Sequence, residues 1–246
     1  MRRFVDLHLC PSIEDRNQAE RMIAKSSEMG YHLVGIPLPP NISPAEIRQL
    51  RSTCSNAKID LVTRVDFAPP TPSELLNDLR RFRRKFEVVS VTCLSKPVAR
   101  QAAKDRRVDI LSFPATEPRK SLFNSGEAEL ASKALASLEI DMTPILSSRG
   151  FSRIRLLSRL RREVAIAKKF RVPVIISSGA TNESLIRGPL DYAALATLFD
   201  MTMPLALRAV SEYPITIVER NREKLSPDYV AEGVRVIRRK HCCLSL

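Results

Sequence analysis

Short aliphatic and β-branched runs alternate with longer segments of helical periodicity from one end of the chain to the other. Phe4 to Leu9, Leu33 to Ile36, Ile59 to Asp66, Glu87 to Thr92, Val108 to Ser112, Ile140 to Ile145, Val172 to Ser177 and Ile215 to Val218 read as strands. Segments near 15–29, 44–55, 72–85, 97–105, 127–138, 153–170, 189–211 and 228–238 repeat their apolar positions every three to four residues and read as helices. Two helix starts share a chemical device. Ser43-Pro44-Ala45-Glu46 and Thr71-Pro72-Ser73-Glu74 each set a hydroxyl at the N-cap, proline at the first helical position and glutamate at the third; Ser226-Pro227-Asp228 is a partial copy.

About eight strand-then-helix units predict an α/β fold with parallel strands covered by outer helices. In 246 residues without a break in composition, closure into a TIM-like (β/α) barrel is expected, with an open doubly wound sheet as the alternative. No linker rich in Gly, Ser or Pro divides the chain, so residues 1–240 are expected to form one barrel domain and 241–246 a loose tail.

Charge changes this picture more than bulk composition does. The net charge is +13, but it is unevenly spread. Residues 78–107 hold ten basic and three acidic side chains and residues 147–171 hold nine and one, so the rest of the chain is slightly acidic. A polyanion is the expected partner, and Arg, whose planar fork suits phosphate, outnumbers Lys in both segments. In the helix at 153–170, Ile154, Leu156, Leu157, Leu160, Val164, Ala167 and Phe170 form an apolar stripe. Arg153, Arg155, Arg159, Arg162 and Lys169 are expected on a basic face roughly 25 Å long.

A barrel invites a catalytic reading, and the histidine count weighs against one. There are three: His8, His32 and His241. Asp6-Leu7-His8 falls at the end of the first strand, at the mouth where barrel sites lie, but a hydrolytic metal cluster needs more His and carboxylates there. Asp6, Asp66 and Glu219 merely sit near strand ends. No nucleophile elbow or Gly-rich phosphate loop is present. Ser177, Ser178, Gly179 and Ala180 follow the seventh strand, as either a phosphate-binding turn or an ordinary tight strand-to-helix turn. Five cysteines, an odd number without metal-ligand spacing, fit a reducing compartment, and the charged N-terminus lacks the apolar stretch of a signal peptide. A cytoplasmic protein is expected. Cys243-Leu244-Ser245-Leu246 formally fits a prenylation signal, with chance as the simpler reading.

Several of these pieces together resemble one family, archaeal ribonuclease P protein component 3, the counterpart of the eukaryotic thirty-kilodalton subunit. The resemblance is carried by Phe4-Val5-Asp6-Leu7-His8 and Tyr31-His32-Leu33-Val34-Gly35-Ile36. The C-terminal half adds Ile176-Ser177-Ser178-Gly179-Ala180, Ile186-Arg187-Gly188-Pro189-Leu190-Asp191, Ala209-Val210-Ser211-Glu212-Tyr213-Pro214 and Glu219-Arg220-Asn221. It implies a barrel related to the polymerase and histidinol phosphatase superfamily. The protein is then a subunit of the ribonucleoprotein that removes the 5′ leader of precursor tRNA, with the RNA performing the chemistry. The metal-dependent relatives carry a His-x-His pair where this chain has His8-Leu9-Cys10, so no catalytic or metal-binding residue and no protein-bound cofactor is expected, with magnesium at the RNA.

The partners implied are ribonuclease P RNA, protein component 2, the other protein subunits and, through the holoenzyme, precursor tRNA, with no membrane involved. Arg80, Arg81, Arg83, Arg84, Arg106, Arg107, Arg149, Arg153, Arg155, Arg161 and Arg187 are the expected RNA contacts. The competing expectation is a metal-dependent phosphoesterase using Asp6, His8 and carboxylates at other strand ends.

Overall fold

The computed structural model describes residues 2–12, 14–114, 122–231 and 234–236. Seven strands pair in parallel and in sequence order: β1 (Phe4–Asp6), β2 (Tyr31–Pro37), β3 (Asp60–Phe67), β4 (Val88–Thr92), β5 (Ile110–Ser112), β6 (Ser137–Asp141) and β7 (Val174–Ser177). Helices α1 (Arg16–Glu28), α2 (Pro44–Asn56), α3 (Pro72–Phe82), α4 (Lys96–Lys104) and α5 (Ser125–Ala134) connect the first six. A short α6 (Thr143–Ser147) and the long α7 (Gly150–Lys169) lead from β6 to β7. Consecutive parallel neighbours with helical crossovers curl into a barrel. The two sheet ends meet at the strands' C-terminal side, where Leu9 bridges Ala180, Cys10 donates its N–H to the Ala180 carbonyl at 2.9 Å and Gly179 donates to the His8 carbonyl at 2.9 Å.

The capping chemistry read from the sequence is present at two of its three places. The Ser43 hydroxyl accepts from the Glu46 amide while Glu46 accepts from the Ser43 amide, and Thr71 caps the Glu74 amide. Ser226 instead ends a helix, and the segment expected to be helical near 228–238 begins as a two-stranded antiparallel hairpin, β8 (Tyr229–Ala231) with β9 (Val234–Arg235). Its β-branched, alternating residues outweigh the cap-like tripeptide.

The largest departure concerns the eighth strand. Ile215 to Val218 lies in helix α10 (Glu212–Leu225), which follows α8 (Pro189–Ala196) and α9 (Met203–Ala209). Ile217 and Val218 join Val5, Leu7, Leu33, Val62, Val88, Ile110 and Ile175 in one buried cluster, the interior of the barrel's N-terminal half. The run Ile-Thr-Ile-Val has strand propensity, but Pro214, Ile217, Val218 and Asn221 fall on one buried helical face, and packing decides the outcome. Polar anchors hold α10 across the barrel end: Asn221 Nδ2 donates to the Glu87 carbonyl at 2.8 Å, Arg220 pairs with Asp109 at 2.9 Å and Arg222 with Glu87 at 2.6 Å. Where an eighth strand would stand, the Val5 amide finds a lone carbonyl, that of Val210, at 3.0 Å.

Two boundaries also shift. Leu135, at φ +63°, ends α5 early, and β6 starts at Ser137 instead of Ile140, leaving Ile145 in α6. The helix expected over 189–211 is broken between α8 and α9 by a 3₁₀ turn at Thr197–Phe199 and by Asp200 at φ +63°. His241 and the tail at 241–246 lie outside the described residues.

Candidate functional site

The mouth at the C-terminal strand ends holds a compact set of charges. Side chains two apart on a strand share a face, so β3 turns both Arg64 and Asp66 inward and β6 both Glu139 and Asp141. Arg64 is 1% exposed and Glu139 4%. Their groups meet fork to fork, Nη1 to Oε1 and Nη2 to Oε2, both at 2.6 Å. Arg64 also donates through Nε to Asp66 at 2.6 Å and through Nη1 to the Leu7 carbonyl at 2.9 Å. The hydroxyl of Ser177 donates to Glu139 at 2.7 Å.

His8 stands between two carboxylates, Nδ1 at 2.8 Å from Asp141 and Nε2 at 3.1 Å from Asp66. Burial and the Arg64 charge disfavour the imidazolium, but Asp141 and Asp66 outweigh both and raise the His8 pKa well above its ordinary value. Burial pushes Asp66 the other way, yet the Arg64 guanidinium and then His8 hold its carboxyl well below the usual range. Asp6 accepts from the amides of Ser178 at 2.9 Å and His8 at 3.1 Å; its burial nevertheless raises its pKa, and its Oδ2 has no hydrogen-bond partner.

Three side chains here, His8, Glu139 and Asp141, each bring a ligand-type atom within 4.8 Å of the others. The donor set does not fit a metal ion. Both Glu139 oxygens are held by Arg64, and both His8 ring nitrogens are engaged by Asp141 and Asp66. The mouth is an ion network in which Asp66, Glu139 and Asp141 are held by Arg64 and His8.

Of the acidic groups read at strand ends, the structure brings Asp6 and Asp66 to this mouth beside His8. Glu219 lies on α10 and pairs with Arg3 at 3.7 Å. Sequence reasoning missed Arg64, Glu139 and Asp141. The signal available was a charged residue at every second position inside an apolar run, as in Leu61-Val62-Thr63-Arg64-Val65-Asp66. In the Ser177–Ala180 turn, the Ser178 amide donates to Asp6, the Gly179 amide to His8 and the Ala180 amide to the Ser178 hydroxyl, so these three N–H groups are consumed internally. Gly179 sits at φ +58° with its Cα facing Asp141, where a Cβ would come within 3.0 Å of that side chain.

The arginines divide between the two ends of the barrel. Arg80 and Arg81 end α3, Arg83 and Arg84 follow it, and Arg106 and Arg107 follow α4, all at the N-terminal strand ends. Arg187 is there too, its carbonyl accepting from the hydroxyl of Tyr31, the first residue of β2. Arg149, Arg153 and Arg155 surround the start of α7, beyond the C-terminal end of β6, and Arg161 lies farther along that helix. Arg83, Arg107 and Arg161 pair with Asp109, Asp105 and Asp200 at 3.3, 2.7 and 3.6 Å. Arg153 and Arg187 donate to carbonyls of Leu146 and Ser184. Arg80, Arg84, Arg106, Arg149 and Arg155 are exposed and pair with no carboxylate among the described residues, and Arg81, also exposed, acts on Asp78 without forming an ion pair.

The basic face of α7 differs from the sequence expectation at two positions. Arg159 is 3% exposed and donates to the carbonyls of Phe113 and Pro114, whereas Ile154, assigned to the apolar stripe, is 60% exposed.

Fold and mouth together define a protein of the TIM-like barrel class whose cleft is filled by its own ion pairs. A family model described as RNase P subunit p30 matches residues 3–226. Ribonuclease P protein component 3 of Methanococcoides burtonii is 32% identical over 235 residues, 96% of this chain and 94% of its own length. The same component of Methanosarcina barkeri is 29% identical over 96% of both chains. A chain in the cryo-EM structure of archaeal ribonuclease P with mature tRNA superposes with a TM-score of 0.83 at 24% identity, covering 96% of this chain and 99% of that one, a likeness of fold. The chain belongs to the RNase P subunit p30 family. It is a protein subunit of ribonuclease P and acts in tRNA 5′ processing as part of that holoenzyme. Among the described residues no helix is long and apolar enough to cross a membrane.

Proposed function

We propose that the chain serves ribonuclease P as an RNA-binding barrel without chemistry of its own, holding the catalytic RNA through arginines at both barrel ends and working beside protein component 2 in the cytoplasm. The observation that carries this reading is a set of exposed arginines that pair with no carboxylate among the described residues, Arg80, Arg84 and Arg106 at the N-terminal strand ends and Arg149 and Arg155 beyond β6. Arg81 stacks over the Phe82 ring with its guanidinium carbon 5.0 Å from the ring centre, leaving its N–H groups for a phosphate. At the start of α7, Phe151 is 81% exposed between Arg149 and Arg153, a combination suited to stacking on an unpaired base while the arginines hold the backbone. Structured RNA is held through phosphates and shape, and such binding needs fixed scaffolding more than a pocket. Magnesium, in this reading, belongs to the RNA.

Reconstitution of precursor-tRNA cleavage from cognate RNA and proteins at limiting magnesium, with and without this chain, tests the role directly. The chain alone is expected to cleave nothing, and its addition is expected to lower the magnesium needed. Its affinity for the RNA is expected to fall by roughly 0.7 to 0.9 log units per log of salt for every phosphate neutralised. A salt-independent affinity overturns the arginine assignment.

A further inference from the structure

We infer that Arg64 is the resident cation of a metal-type site: its guanidinium holds the Glu139 carboxylate that, with His8 and Asp141, would bind a divalent ion, so that removing it exposes a divalent-cation site in this barrel.

The geometry carries the argument. A carboxylate-bound divalent ion of the zinc or manganese kind sits about 2.0 to 2.2 Å from its oxygens, and the Glu139 oxygens already have guanidinium nitrogens at 2.6 Å in two parallel bonds. An ion bound by both Glu139 oxygens in the plane of the carboxylate must displace Nη1 and Nη2. The ligand-type atoms of His8, Glu139 and Asp141 nevertheless remain within 4.8 Å of one another, the spacing of a coordination shell, while Asp66 holds the other nitrogen of the His8 ring at 3.1 Å.

Charge points the same way. Three carboxylates, Asp66, Glu139 and Asp141, converge on one guanidinium and one imidazole, with Arg64 and Glu139 buried and the other three groups half-buried. Without Arg64 only His8 is left to compensate them, a condition that favours a small dication. Arg64 does something a metal would also do: through Leu7, Asp66 and Glu139 it ties β1, β3 and β6 together across the barrel. The guanidinium supplies the cross-link while offering no open coordination position, which removes Lewis-acid chemistry and keeps the mouth inert toward phosphoesters.

The test is metal binding by the intact chain and by Arg64→Met, each freed of metal with a chelator and then titrated with Mn²⁺ and Zn²⁺ by calorimetry and thermal unfolding. The unmodified chain is expected to show no stoichiometric site of this kind. Arg64→Met is expected to bind one equivalent, and at a free metal concentration about 100-fold over Kd its Tm is expected to rise by about 5 to 10 °C. Adding Glu139→Gln to Arg64→Met is expected to weaken that binding at least tenfold. If Arg64→Met does not fold without metal, refolding in the presence of Mn²⁺ or Zn²⁺ decides the matter, since rescue is expected only from a bound ion. Stoichiometric binding by the unmodified chain that His8→Ala abolishes overturns the inference, and so does an Arg64→Met chain that neither binds metal nor is rescued by it.

Discussion

Arg64 on β3 and Glu139 on β6 face each other across the barrel and share two hydrogen bonds of 2.6 Å, with neither side chain measurably reached by water. Two buried charges so placed are costly to separate. Removing one partner leaves the other uncompensated, whereas removing both avoids that penalty.

The first prediction concerns this pair. In chelator-containing buffer, Glu139→Gln is expected to lose about 3 to 5 kcal/mol of unfolding free energy in urea titration. Arg64→Met combined with Glu139→Leu is expected to lose clearly less than the sum of the two single changes, because each single variant strands a buried charge. Additive losses would mean that the two residues stabilise the barrel independently.

Glu163 makes stability depend on pH. Burial raises its pKa to about 7 although Arg159 lies 3.5 Å away. That ion pair is poorly aligned: Arg159 commits its two terminal nitrogens to the Phe113 and Pro114 carbonyls, and both its Nε and Glu163 Oε1 lack hydrogen-bond partners. An unfolded glutamate titrates near 4.5, so the folded chain retains a proton that the unfolded chain has lost between those values. The stabilisation is full below about pH 4.5, is lost as pH rises through 7 and amounts to roughly 3 kcal/mol at most. His8, whose pKa is also raised, adds a loss of the same sign at higher pH, while Asp66 acts oppositely in strong acid. Urea midpoints across pH 5 to 8 should therefore decline toward alkaline pH, and Glu163→Gln should flatten that decline without removing the His8 part.

The plug formed by α10 gives a third prediction and shows what the sequence could reveal. Ile217 is 3% exposed and Val218 fully buried against the barrel interior. Ile217→Ala is expected to cost about 2 to 5 kcal/mol in chemical denaturation, the range for a buried aliphatic truncated in a cavity that cannot collapse. An exposed strand residue on the barrel's outer face would cost much less.

Seven strands and their helices were legible because a parallel sheet covered on both sides is written in unbroken apolar runs. The run Ile-Thr-Ile-Val looked the same, and what makes it a helix is the opening at the barrel end that Ile217 and Val218 fill, a fact about distant residues. The mouth was half legible for a related reason. Asp6 and His8 stood at a strand end, where barrel chemistry is sought, but Arg64 and Glu139 are charges inside strands, and neither makes sense until β3 and β6 are placed opposite one another. The late start assigned to β6 concealed Glu139 further, since it left that residue between a helix expected to end at 138 and a strand expected from Ile140. Arg159 misled in the opposite direction: periodicity could not reveal that loop carbonyls at Phe113 and Pro114 await its guanidinium.

The last prediction uses the separation of the arginines between the two ends of the barrel. If the N-terminal group and the group at the start of α7 hold different parts of the RNA, their contributions are independent. Arg80→Glu with Arg84→Glu and Arg106→Glu, and separately Arg149→Glu with Arg155→Glu, should each weaken binding to ribonuclease P RNA and reduce the slope of log affinity against log salt. Each removed phosphate contact should lower that slope by a little under one. Circular dichroism and thermal unfolding should be almost unchanged, because these side chains are exposed and meet no carboxylate among the described residues. The two losses should add when combined. Reversal of Arg83, which is bound to Asp109, should by contrast lower thermal stability along with RNA affinity. A group whose reversal leaves both affinity and salt slope intact does not touch the RNA, and that end of the barrel is then free for a protein neighbour in the holoenzyme.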